Sequence, residues 1–177
     1  MKKISHRTYH QLGFTLVELM ITIVVIAILL FMGTSLTRAW IDQGHVDNTI
    51  SALKNATFQA RAAALRNTNN QPSTFAAASV CFDRTNQNIL VVRAAQFSTD
   101  GCTPSATNAT DGNFILQSIP LDKNVNLTVN SVDFNCLAFN SAGILVNSSY
   151  SSQVCSNFSD IKITIKKNKE IADVQIN

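Results

Sequence analysis

The stretch Gly13-Phe14-Thr15-Leu16-Val17-Glu18, and the run Leu19-Met20-Ile21-Thr22-Ile23-Val24-Val25-Ile26-Ala27-Ile28-Leu29-Leu30-Phe31-Met32 behind it, decide how this chain is organised. From Phe14 to Met32 the only charge is Glu18, and the only other polar side chains are Thr15 and Thr22. At 1.5 Å of rise per residue, positions 14–32 give about 28 Å of helix, close to the hydrocarbon thickness of a bilayer. The expectation is one membrane-spanning helix near the N-terminus, with a soluble remainder on its far side. A carboxylate inside such a run costs about 2.5–3.5 kcal/mol at the bilayer centre and so marks a functional position by default. Glu18 lies only four residues from the start of the run. It either rests at the interface, where that cost falls, or awaits a cation.

The short basic segment, then Gly-Phe-Thr-Leu-Val-Glu, then the apolar run, resembles the class III signal of type IV prepilins and of type II secretion pseudopilins. The resemblance implies cleavage by a prepilin peptidase after Gly13 and N-methylation of the new first residue, Phe14. It also implies an assembly role for Glu18, paired with the N-terminal amine of a neighbouring subunit.

Charge adds topology. The chain carries 14 Lys+Arg against 11 Asp+Glu. Lys2, Lys3 and Arg7 supply the whole excess, so the pI near 8.8 belongs to the uncut chain and says nothing of nucleic-acid binding by the rest. Basic residues flanking a first membrane helix stay cytoplasmic, which puts residues 1–13 inside and the C-terminal domain outside, in the periplasm. No small-residue cleavage site follows the apolar run, so the run is expected to be retained as a single-pass anchor in the inner membrane.

Behind the run, Val46, Ile50, Leu53, Thr57, Ala60 and Ala64 recur with a period near 3.6. They predict that the helix continues, amphipathic, to Arg66, about 80 Å from Phe14 by the same rise. Gly33 and Gly44 either merely loosen it or, near Gly33, let the chain extend when subunits pack into a filament. Asn67 to Pro72 ends it with turn residues and a proline. Short β-type runs follow at 75–82, 89–95, 114–119, 125–132, 136–139, 144–146, 161–165 and 171–176, with hairpin connections expected at Asn140–Gly143 and Lys167-Asn168. The expected organisation is a leader (1–13), a membrane and filament-core helix (14–36), an amphipathic helix entering the domain (37–66) and a disulfide-stabilised β-rich domain (67–177). About 110 residues after the helix suffice for one small core. The fold class is α+β: a long N-terminal helix packed on a C-terminal antiparallel β domain, as in type IV pilins.

All four cysteines, Cys81, Cys102, Cys136 and Cys155, fall in the exported part, and an even count there favours disulfides. Three pairings exist. The loop-rich stretches between Cys81 and Cys102, and between Cys136 and Cys155, favour the sequential one. No C-x-x-C and no Cys-His metal spacing occurs, and neither metal nor cofactor is implied.

Catalysis finds no footing. Beyond the leader His45 is the sole histidine, a surface side chain on the amphipathic helix, and no nucleophile motif, Walker loop or G-x-G-x-x-G is present. The chain is expected not to be an enzyme. The run Gln59-Ala-Arg61-Ala-Ala-Ala-Leu-Arg66 ahead of a strand-rich remainder resembles the GspH/FimT/FimU branch of minor pilins. That resemblance implies a minor pilin working in pilus assembly at or near the tip, with prepilin peptidase, other minor pilins and the major pilin as partners. Two alternatives stand beside it. One is a minor pseudopilin of a type II secretion system. The other is a pilin that binds DNA during uptake, for which Lys162, Lys166, Lys167 and Lys169 are the candidate contacts. The stretch Lys166-Lys-Asn-Lys169 lacks the glycine and both arginines of the G-R-x-R motif of FimT-type pilins. Such lysines also serve simply to keep an edge hairpin from aggregating.

Overall fold

A computed structural model describes residues 14–95, 98–103, 114–150, 153–156 and 161–176, without the side chains of 32–36 and 153. The leader with Gly13, and positions 96–97, 104–113, 151–152, 157–160 and 177, lie outside the described residues. Helix α1 spans Leu16–Arg66. Among the described residues ten strands follow: β1 Ala78–Asp83, β2 Asn88–Arg93, β3 Phe114–Pro120, β4 Asn126–Val129, β5 Val132–Asp133, β6 Cys136–Phe139, β7 Ser149–Tyr150, β8 Gln153–Val154, β9 Ile161–Lys167 and β10 Glu170–Ile176. The chain divides into two compact units, Met1–Arg38 and Ala39–Asn177.

In the second unit, one antiparallel sheet has the order β3-β2-β1-β6 and another β10-β9-β4-β5, with β7-β8 as a small ribbon. The fold is therefore α+β, an N-terminal helix on an antiparallel β domain. The helical stripe Val46, Leu53, Ala56, Ala60 and Ala64 is fully buried in a core shared with Val80, Leu127, Leu137, Phe139, Ile161, Ile163 and Ile165. Small residues at Ala56, Ala60 and Ala64 keep the helix surface flat enough for the sheets to approach closely, while Leu53 supplies bulk.

Strand patterns differ for a physical reason. Strand β9 alternates buried and exposed positions, because one face meets the core and the other water. Strand β1 is buried at five consecutive positions. Its Val80 face joins the helix-side core, whereas Cys81, with Leu90, Val92, Cys136 and Ala138, forms a second cluster under the loops. The loops are held there by disulfides Cys81–Cys102 and Cys136–Cys155. A Cβ at Gly101 would stand 2.5 Å from Ser79 Oγ and 2.8 Å from Ser148 Oγ, so a larger residue there requires both hydroxyls to move.

Turn chemistry corrects several expected boundaries. The run 125–132 is broken by Asn130 and Ser131, both at positive φ, which fold β4 back onto β5. The last hairpin turns at Asn168-Lys169, one residue beyond the expected Lys167-Asn168, since Lys167 pairs with Glu170 in the ladder. Residues 144–146 contribute only an isolated bridge, Phe139 with Leu145, after a turn closed by the Gly143 amide on the Asn140 carbonyl at 2.8 Å. Helix α1 stops where Asn67 takes a φ of 40° and its side chain bonds both the amide and the carbonyl of Gln71.

Candidate functional site

At the start of α1 the Glu18 amide donates to Thr15 Oγ1 at 3.3 Å, and the Leu19 amide donates to the Thr15 carbonyl at 3.2 Å. Thr15 is thus the N-cap and Glu18 the third helical residue, the spacing of a capping box. A carboxylate in the first turn also faces the positive end of the helix dipole. Phe14, just ahead of the cap, is 84% exposed. A positive charge placed on its nitrogen would repel that same dipole end, and a nearby carboxylate would offset part of that repulsion. The sequence signal for the cap, Thr-x-x-Glu ahead of an apolar run, was present and is independent of any partner subunit.

The side chains behind the cap stay uncovered: Leu16, Val17, Leu19, Met20, Ile21, Ile23, Val24, Ile26, Leu29, Leu30 and Phe31 are all exposed. A helix apolar all round has no stable place in water and must lie in lipid or against like helices. Among the described residues no helix is long and apolar enough to cross a membrane. Described side chains of the run stop at Phe31, and residues 16–31 rise about 24 Å, short of the roughly 30 Å hydrocarbon layer.

Residues 9–34 match the prokaryotic N-terminal methylation motif. This motif is the type IV pilin signal, and it supports the pilin or pseudopilin class. It implies processing by prepilin peptidase, assembly with other pilins, and a membrane-anchored protein that passes to a pilus or the cell surface. Such proteins are generally structural rather than enzymatic. The methylation motif ends at residue 34 and leaves the β-rich unit unassigned. No curated protein and no solved structure matches the chain.

The four candidate DNA-contacting lysines do not form one free basic tip. Lys162 pairs with Asp173 Oδ2 at 2.7 Å. Lys167 is buried, hydrogen-bonded to Asp122 and 3.9 Å from Asp42 Oδ1. Only Lys166 and Lys169 are exposed without an ion pair among the described residues. His45, expected as a solvated surface side chain, is half-buried with Nδ1 3.3 Å from Asp122 Oδ2. The resulting cluster of Asp42, His45, Asp122, Lys167 and Asn168 ties α1 to the β3–β4 loop and the last hairpin. No local pattern reveals it, because its members come from three distant segments. The Lys167 hydrogen bond, foremost, holds the Asp122 carboxyl below the usual range, against a smaller opposing effect of burial.

The sulfurs of Cys102, Cys136 and Cys155 lie within 4.8 Å of one another. All are tied up in disulfides, so the cluster offers no thiolate to a metal.

Proposed function

We propose that this chain is a minor pilin of a type IV pilus, taking part in pilus assembly and priming at or near the tip. The observation that carries the reading is the methylation motif across residues 9–34, with Gly13, Phe14 and Glu18 in the positions that its chemistry needs. In this reading prepilin peptidase cuts after Gly13 and Phe14 is N-methylated. Residues 14–36 hold the protein in the inner membrane as a single-pass anchor, with the N-terminus cytoplasmic and the β domain periplasmic. The same helix then leaves lipid for a bundle of like helices. There the Glu18 carboxylate neutralises the amine of a neighbouring Phe14, since an unpaired charge in such a core is strongly unfavourable. The alanine- and arginine-rich end of α1 and the β-rich unit support placement in the GspH/FimT/FimU branch.

The test is Glu18→Ala in cells. The expected result is unchanged membrane insertion and loss of the protein from sheared surface filaments. Normal incorporation would refute the pairing. A mature chain that starts anywhere but Phe14, read by mass spectrometry, would refute the processing. A pseudopilin of a type II secretion system shares the whole signal and would be absent from sheared pili even as wild type.

A further inference from the structure

The second unit begins at Ala39, and its first exposed side chains include Trp40, 83% exposed, and Ile41. A tryptophan left in water at the threshold of a domain is unusual, because it forfeits the burial that large aromatics normally gain. Asp42, two residues on, accepts a hydrogen bond from Asn168 at 2.8 Å and lies beside Lys167. Lys167 in turn holds Asp122. These contacts bring the tip of the last hairpin and the β3–β4 loop to the end of the unit where the chain enters it. Both carry exposed lysines: Lys166 and Lys169 on the hairpin, Lys123 on the loop. Asp42 and Asp122 already serve Lys167, Glu170 beside the turn is half-buried, and the exposed Asp47 accepts a hydrogen bond from Gln43 at 3.0 Å. This level of the unit therefore carries three exposed lysines on the side of α1 that Asp42 faces, while Trp40, two residues before Asp42 on the same helix, stands about 200° round the axis from it.

We propose that this level is a lipid-headgroup collar, with Trp40 and Ile41 seated in the interfacial layer and Lys123, Lys166 and Lys169 facing anionic phosphodiesters. The inference rests on the membrane-anchor reading above. If that anchor ends near Leu36, Trp40 follows four residues later, about 6 Å of helical rise. That falls within a headgroup layer of roughly 5–7 Å on each side. Tryptophan is enriched at this depth because its ring is apolar and its N–H needs a polar partner. Lysines just beyond a membrane helix are drawn to anionic headgroups by charges that salt screens. The collar also gives the lysines of the last hairpin a use that needs no nucleic acid.

Trp40 is the sole tryptophan, so its fluorescence reports this position alone. The full chain is reconstituted in phosphatidylcholine vesicles with or without phosphatidylglycerol. Insertion is checked by resistance to alkaline carbonate, and quenching is measured with iodide and with brominated lipids. The collar predicts blue-shifted emission, severalfold weaker iodide quenching than in detergent, and strongest quenching by bromines placed nearest the headgroups. Phosphatidylglycerol should strengthen the lipid quenching, and Lys123→Gln, Lys166→Gln and Lys169→Gln together should abolish that increment. Water-like, iodide-accessible emission from carbonate-resistant protein would overturn the collar and leave the anchor standing. Release by carbonate would sink the anchor and the collar together. Salt-sensitive capture of labelled duplex DNA that the triple variant loses, with no response to phosphatidylglycerol, would assign the lysines to nucleic acid instead.

Discussion

The Asn168 side-chain amide donates to Asp42 Oδ2 at 2.8 Å, joining residues 126 positions apart. Beside it Lys167 links the same helix to Asp122 on the β3–β4 loop. One buried ammonium thus serves two carboxylates, and the last hairpin is fastened to the helix by charge as well as by apolar packing.

This arrangement makes stability depend on acid. The folded Asp122 carboxyl titrates below its ordinary range, chiefly because Lys167 bonds its ionised form. A depressed carboxyl contributes stability that is present above the unfolded value, about 4, and lost as pH falls through the folded value. Thermal melting of the wild type should be flat from neutral pH to about 5 and decline below about 4. Asp122→Asn should be less stable at neutral pH and show a shallower decline. Parallel acid profiles would refute the linkage.

Lys167 and Lys166 are neighbours with opposite surroundings, one buried and one exposed. Lys167→Met should lower the melting temperature clearly, because two carboxylates lose their shared partner. Lys166→Met should stay within about 0.5 kcal/mol of wild type. Equal effects in a denaturation series would show that the buried ammonium has no structural role.

Leu53 is fully buried and Phe58 exposed on the same helix. Leu53→Ala should cost about 2–5 kcal/mol through lost burial and the cavity left behind. Phe58→Ala should cost about 0.5 kcal/mol or less. Chemical denaturation of the two variants checks the assigned face, and a reversed order would place the wrong side of α1 against the sheets.

Each disulfide closes a loop of about twenty residues, with separations of 21 and 19. The chain-entropy relation gives about 3 kcal/mol for each bond. Cys136→Ser with Cys155→Ser should lose about that much. Because Cys81 and Cys136 are opposite each other across β1 and β6, removing both bonds should depart from simple additivity. The four cysteines are buried, so reductant without denaturant should act slowly on the wild type. Rapid reduction under native conditions would contradict that burial.

Much of the fold was legible because its signals are local. The 3.6-residue stripe from Val46 to Ala64 marked the buried face of α1, and Asn67 with Pro72 marked its end. The alternation in Ile161-Lys-Ile-Thr-Ile165 marked a half-buried strand. Illegible parts depended on what lies across space. Five consecutive buried positions in β1 carry no periodicity, since a sheet covered on both faces erases it. Asn130 and Ser131 split one apolar run into two strands through backbone conformation, which composition alone does not announce. At the candidate site, the Thr15–Glu18 cap was written in four adjacent residues, whereas the Asp42–Lys167–Asp122 cluster had no local trace.

By itself, the sequence determined the signal at Gly13 to Glu18, the apolar run and the helical stripe, because hydrophobic period and helix capping act between near neighbours. Tertiary structure alone decided which lysines are spent inward and which remain in water. It also set the cysteines under one sheet and gave His45 its carboxylate. Those outcomes follow from strand order and hairpin register, which bring distant charges within a few ångströms. Coulomb energy depends on that spatial distance and not on separation along the chain.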